Sequence, residues 1–123
     1  MILIDTNIFI EIFKGNVAIT SIVDNILEIA VCDVVRAELF YGARNKTELQ
    51  EICADLENLP VLSILPQISE MAVNLVKTYC LSHKLELADA LIAATTIHHN
   101  VELYTLNRKD FEYIPNLKLY EPK

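Results

Sequence analysis

Short apolar runs alternate with amphipathic stretches from one end of the chain to the other. Residues 1–4, 29–32, 61–65, 101–105 and 117–120 are brief runs rich in apolar side chains. Their length suits strands, and the most apolar of them suit a sheet covered on both faces. Between them the period becomes helical. Asp5-Thr6-Asn7 interrupts the first strand, and IFIEIFK continues as a helix that stops near Gly15, with a second helical stretch over residues 17–27. Asp33 is placed to cap a helix ending at Gly42. Residues 46–58 put Leu49, Ile52, Cys53 and Leu56 on one face. Pro66 opens a long helix to about Leu81, and a further helix over residues 87–98 is closed by Asn100. Strands alternating with helices predict an α/β fold, a mostly parallel sheet flanked by helices on both faces.

Nothing in the pattern marks a linker, repeat or biased tract, so residues 1–123 read as a single domain. A chain of this size buries roughly two thirds of its unfolded surface and needs no metal or disulfide to fold. The composition is 53% hydrophobic with only 2 Gly and 4 Pro, an apolar surplus that predicts a surface covered by a partner, self-association being the simplest. No run reaches the roughly 18 apolar residues of a membrane span. The opening MILID has neither a basic leader nor a small-residue cleavage site, so a cytoplasmic location is expected. Cys32, Cys53 and Cys80 stand among apolar neighbours and read as buried free thiols of a reducing compartment. The net charge of −7 argues against a nucleic-acid partner only in bulk. Cations held by a carboxylate site reverse its sign locally.

The acidic residues change the picture most. In open α/β sheets ligands bind beyond the carboxyl ends of the strands, where the helix N-termini also lie. Asp5 ends the first strand, and Glu38 lies about one and a half turns into the helix after the second. Asp89 is in the first turn of its helix, and Asn107 and Asp110 follow the strand ending at Thr105. All five project to one edge of the sheet. Carboxylates suit hard ions such as Mg²⁺ and Mn²⁺, and such ions activate water for phosphodiester hydrolysis. With Gly15 and Gly42 the only glycines, no glycine-rich phosphate loop is available.

Taken singly, these residues also have structural explanations. Asp5 can cap a helix, Asp89 can favour a helix dipole, and Asp110 can belong to a solvated turn. Yet Asp89 sits in the apolar stretch LADALIAA, where a carboxylate needs a partner. Glu38 near a helix C-terminus opposes the dipole, and Arg36, two residues away, faces elsewhere. Their convergence favours a metal site.

Four short motifs occur in order: Ile4-Asp5-Thr6-Asn7; Arg36-Ala37-Glu38-Leu39 with Tyr41-Gly42; Ala88-Asp89-Ala90-Leu91-Ile92-Ala93-Ala94; and Thr105-Leu106-Asn107-Arg108-Lys109-Asp110-Phe111. Together they resemble a PIN domain, in particular a VapC-type toxin ribonuclease of a type II toxin–antitoxin pair. The resemblance spans nearly the whole chain. It implies a Rossmann-like sandwich of strand order 3-2-1-4-5 and Mg²⁺- or Mn²⁺-dependent endonucleolytic cleavage of RNA. Asp5, Glu38 and Asp89 match the acidic core that would hold the metal. Asp110 joins them as a fourth catalytic carboxylate, and Asn107 stands where some relatives place an Asp, so the fourth ligand is open between these two. Thr6 and Asn7 would orient Asp5 and its water, Thr105 would do so from the opposite side, and Asn107 would support them. The resemblance further implies a homodimer silenced by a cognate antitoxin whose C-terminal segment lies across the groove.

Arg108 and Lys109 beside the proposed site, and Arg44 and Lys46 after the Glu38 helix, are candidates for RNA phosphate contacts. His98 and His99 read as helix-closing residues, His83 has no assigned role, and Tyr41 and Tyr79 read as interface or core. The alternatives are a housekeeping PIN-domain RNA-processing nuclease and, from another class, a phosphoacceptor signalling domain. The signalling domain is disfavoured because Asp5 has no acidic neighbour and Val61-Leu62-Ser63-Ile64 holds no carboxylate. Asn7 likewise fills the place where a phosphatase with an Asp nucleophile needs its second Asp.

Overall fold

The computed structural model describes residues 1–123. Five parallel strands, β1 (Ile2–Ile4), β2 (Ile29–Cys32), β3 (Val61–Leu62), β4 (Glu102–Tyr104) and β5 (Lys118–Leu119), form one sheet in the order β3-β2-β1-β4-β5. β1 is central, pairing Ile2 with Ile29 on one side and Ile4 with Tyr104 on the other. Leu3, Ile4, Val31 and Leu103 are fully enclosed, which explains strands of unbroken Ile, Val and Leu.

Helices α1 (Thr6–Phe13) and α2 (Val17–Asp24) link β1 to β2, and α3 (Asp33–Tyr41) and α4 (Lys46–Leu56) link β2 to β3. The chain returns to the centre through α5 (Pro66–His83) and α6 (Leu87–His98). Right-handed crossovers place the outward-moving connections on one face and the returning pair on the other. The sheet order therefore reverses at β1, and a crevice opens there at the carboxyl ends.

The helix stops follow local chemistry. Gly15, at φ 86°, ends α1, with Asn16 N–H donating to the Glu11 carbonyl. Asn100, at φ 53°, ends α6 in the same way: its own N–H reaches the Ile97 carbonyl and the Val101 N–H reaches Thr96. Both are left-handed closing turns suited to Gly and Asn. Gly42 closes α3 differently, staying right-handed at φ −77°.

Five expectations need correction. Asp33 is the first residue of α3 and not its cap; Cys32 precedes it with no side-chain cap bond. The Asp33 carboxylate instead accepts from Arg36 at 3.3 Å and from the Ile64 backbone N–H at 3.0 Å. That second bond takes Ile64 out of the ladder, which is why β3 stops at Leu62 and not at residue 65. Helix α2 ends at Asp24 and not at residue 27, because the Asn25 side chain turns back onto the Ser21 carbonyl and leaves Leu27 fully exposed. Only Cys32 is a buried thiol; Cys53 and Cys80 are exposed on α4 and α5. Tyr41 is 92% exposed and so is no core residue. No helix is long and apolar enough to cross a membrane.

Candidate metal centre

Asp5 lies where β1 becomes α1, and it serves both as helix cap and as a fixed carboxylate. Its backbone is extended while Oδ1 accepts from the Thr6 N–H at 2.7 Å. Oδ2 accepts from the Thr105 hydroxyl at 2.8 Å and, more loosely, from Asn7 Nδ2 at 3.4 Å. Thr105 Oγ1 in turn accepts from Asn7 Nδ2 at 3.2 Å and from the Asn107 N–H at 3.1 Å. Asn7 Oδ1 accepts from the Leu106 N–H at 3.1 Å. The end of β1 is thus tied to the end of β4 by a closed polar network around one carboxylate, itself only 6% exposed.

Glu38 reaches the same edge from the last turn of α3. Its Oε1 accepts from the Thr6 hydroxyl at 2.7 Å. Thr6 therefore acts on two carboxylates, with its backbone on Asp5 and its hydroxyl on Glu38; the hydroxyl does not orient Asp5 as expected. This bond is also the structural reason for a carboxylate at a helix C-terminus.

Asp89 lies in the first turn of α6, half-buried. Burial, followed by the negative charges of Asp5, Asp110, Glu38 and Glu86, pushes its pKa up to about 6. Asp5 is also raised, chiefly by burial, although the Thr105 and Thr6 hydrogen bonds oppose the rise; Glu38 and Asp110 add to it. Asp110 is exposed at the end of a short 3-10 turn (Arg108–Asp110) and shares a cavity of about 310 Å³ with Asp89. Asn107, also exposed, contributes its backbone N–H to Thr105. Of the two residues left open for the fourth position, Asp110 is the one whose charge reaches both Asp5 and Asp89.

The donors fit a hard divalent cation. They are carboxylate oxygens, two of them destabilised by burial and mutual repulsion, and neither of those two is in a salt bridge with a Lys or Arg. No three acidic, His or Cys side chains close on a single point. Asp89 and Asp110 share one cavity while Glu38 lines another, an open arrangement that suits an ion held through one or two carboxylates and several waters.

The basic residues are largely engaged by the chain itself. Arg44 pairs with Glu48 at 2.7 Å, and Arg108 pairs with Glu121 at 2.8 Å while also donating to the Tyr120 carbonyl. Lys109 lines the Asp89–Asp110 cavity, and Lys46 is exposed at the start of α4. Sequence reasoning passed over His83, Lys84, Glu86 and Tyr113, which share that cavity. The Pro-to-His helical run around His83 carries no motif, and the partner that gives it meaning, Tyr113, comes only after β4.

A five-stranded parallel sheet with carboxylates gathered at its reversal point defines an α/β domain with an acidic crevice. The chain belongs to the PIN domain family, whose model matches residues 2–117. It is 32% identical to Ribonuclease VapC19 of Mycobacterium tuberculosis, covering 96% of this chain and 98% of that protein. Its fold superposes on a toxin–antitoxin complex from Klebsiella pneumoniae with a TM-score of 0.82 at 32% identity, over 98% of this chain and 99% of that one. VapBC2 from Rickettsia felis, bound to a DNA fragment from its promoter, gives a TM-score of 0.81 at 27% identity, with 98% of each chain covered.

Proposed function

We propose that this chain is a Mg²⁺- or Mn²⁺-dependent endoribonuclease and the toxin of a type II toxin–antitoxin pair. The observation that carries the reading is the Asp5–Thr105 network beside an unpaired Asp89, with Asp110 in the Asp89 cavity and Glu38 bonded to Thr6. Kinship to a ribonuclease and to toxin–antitoxin complexes supplies the substrate class and the biological role.

In this reading Asp5, Glu38 and Asp89 hold the ion, with Asp110 completing the acidic set. A bound divalent cation supplies an activated water and charge neutralisation at the phosphate. The chain's own part is positioning. Thr105 and Asn7 hold Asp5 in one rotamer, and the Thr6 hydroxyl holds Glu38. The buried floor of β1 and β4 keeps bulk water from beneath Asp5. Lys109, Lys46, Arg44 and Arg108 contact RNA phosphates, the two arginines after exchanging their present carboxylate partners.

An antitoxin segment fits the apolar cavity of about 900 Å³ that runs from Glu38 past Phe9, Phe13, Leu39, Ile52 and Leu59. Exposed Val73, Leu81 and Leu87 supply apolar surface for a homodimer. The deciding experiment is RNA cleavage with Mg²⁺, with EDTA, and by Asp89→Asn. Cleavage requires the metal and the carboxylate; activity that survives both the chelator and the substitution ends the metal-nuclease reading.

A further inference from the structure

On the α5–α6 side of the acidic mouth stands a cluster that the metal centre does not use. The His83 ring lies flat against Tyr113, with centroids 3.7 Å apart and planes within 11°. Tyr79 packs edge-on to both, at 5.8 and 5.1 Å. Ser82 Oγ and His83 Nδ1 are hydrogen-bonded at 2.7 Å, which fixes the imidazole orientation. His83 is exposed and Tyr113 half-buried. Both rings line the cavity of about 310 Å³ that also holds Asp89 and Asp110, and Lys84 and Lys109 border it.

Tyr113 and Ser82 hold the His83 ring in one orientation, so its face is presented to a ligand without further ordering. Lys84, at φ 54°, occupies the left-handed turn that joins α5 to α6, so its side chain leaves the chain at the cavity rim and not along a helix face. Two cations and a flat aromatic surface beside carboxylates match a nucleotide, whose phosphate meets the lysines while its base covers the ring. Single-stranded nucleic acid is held in this way, by stacking on aromatic rings and by charge along the backbone.

We propose that His83, stacked on Tyr113, is a base-binding platform for the RNA nucleotide next to the scissile phosphate, and that Lys84 and Lys109 hold that nucleotide's phosphate. The proposal rests on the ribonuclease reading above. His83 is here a positioning residue: it holds the strand so that the neighbouring phosphodiester lies over Asp89 and Asp110. Stacking holds the strand without touching the reacting atoms, so its loss falls on KM more than on kcat.

The test uses the full chain and a randomised single-stranded RNA pool with Mg²⁺ or Mn²⁺, the cut ends being sequenced. His83→Ala raises KM about tenfold with kcat within about twofold, and His83→Tyr, which keeps a flat ring, restores it. Once the cut is located, an oligonucleotide made abasic beside it loses about as much with wild-type protein, and the two losses do not add. Lys84→Asn, which tolerates the left-handed backbone, lowers the slope of log affinity against log salt by about 0.7. Wild-type protein that cuts no RNA overturns the ribonuclease reading and this inference together. Wild-type cleavage with an unchanged KM in His83→Ala, or with additive losses, overturns the platform alone. An unchanged salt slope in Lys84→Asn removes Lys84 from the phosphate contact.

Discussion

Asp5 and Asp89 share one crevice but are held in opposite ways. Asp5, at the end of the central strand, accepts hydrogen bonds from Thr6, Thr105 and Asn7 and is nearly enclosed. Asp89, on the first turn of α6, is half-buried, and the largest influences on it, burial and the neighbouring carboxylates, oppose its charge. Burial raises both carboxylates, but hydrogen bonds offset part of the rise at Asp5 and none is among the causes at Asp89. A site divided in this way keeps a fixed anchor for the ion and an unsatisfied carboxylate that gains most from binding it.

The largest test of this contrast removes the unsatisfied member. Asp89→Asn lowers RNA cleavage on the order of 10³-fold, because the ion loses a ligand where charge stabilisation is needed. Single-turnover cleavage at saturating Mg²⁺ measures it. Next comes the anchor's support. Thr105→Val deletes the 2.8 Å bond to Asp5 but keeps the side-chain shape, and metal affinity or activity falls about 10- to 100-fold. Titration with Mn²⁺ separates the affinity loss from a rate loss.

Proton linkage gives a smaller effect of opposite sign. The Asp89 pKa in the fold, about 6, lies above the ordinary value of 3.8. The folded state therefore binds its proton more tightly than the unfolded chain does. The resulting stabilisation is fully present below about pH 4 and is lost as pH rises through about 6. In EDTA at pH 7, Asp89→Asn is accordingly more stable than wild type by about 1–2 kcal/mol, after discounting for solvent screening. The difference closes at pH 4, as urea titrations at the two pH values show. The same substitution that removes activity thus stabilises the metal-free protein. Smallest is Arg108→Ala, which lowers the salt dependence of RNA binding by about one phosphate contact; an unchanged slope leaves Arg108 as a partner of Glu121 alone.

The fold was legible where the chain's signals were local. Helix α6 begins and ends as its apolar pattern and Asn100 predict, and the sheet order follows the resemblance. Asp5, Glu38 and Asp110 act on Asp89 through their charge, a nearness that strand ends and helix starts at one edge make readable. What escaped were bonds between distant residues. Nothing in the sequence assigns the Thr6 hydroxyl to Glu38, 32 residues away. Nothing ties Asp33 to the Ile64 N–H, the bond that shortens β3. The outward side of a helix is also a weak signal among apolar neighbours, so Cys53 and Cys80 read as buried until the structure placed them in solvent.

The Asp5–Thr105 bond joins residues 100 positions apart, and β4 comes to lie beside β1 only through both outward crossovers and the α5–α6 return. Contacts so distant in sequence carry a large loop-closure cost and form slowly. The support of the anchoring carboxylate is therefore a property of the closed sheet and of no fragment of it. Opening of β4 alone strips Asp5 of Thr105, so the site is as durable as one short strand's place beside β1.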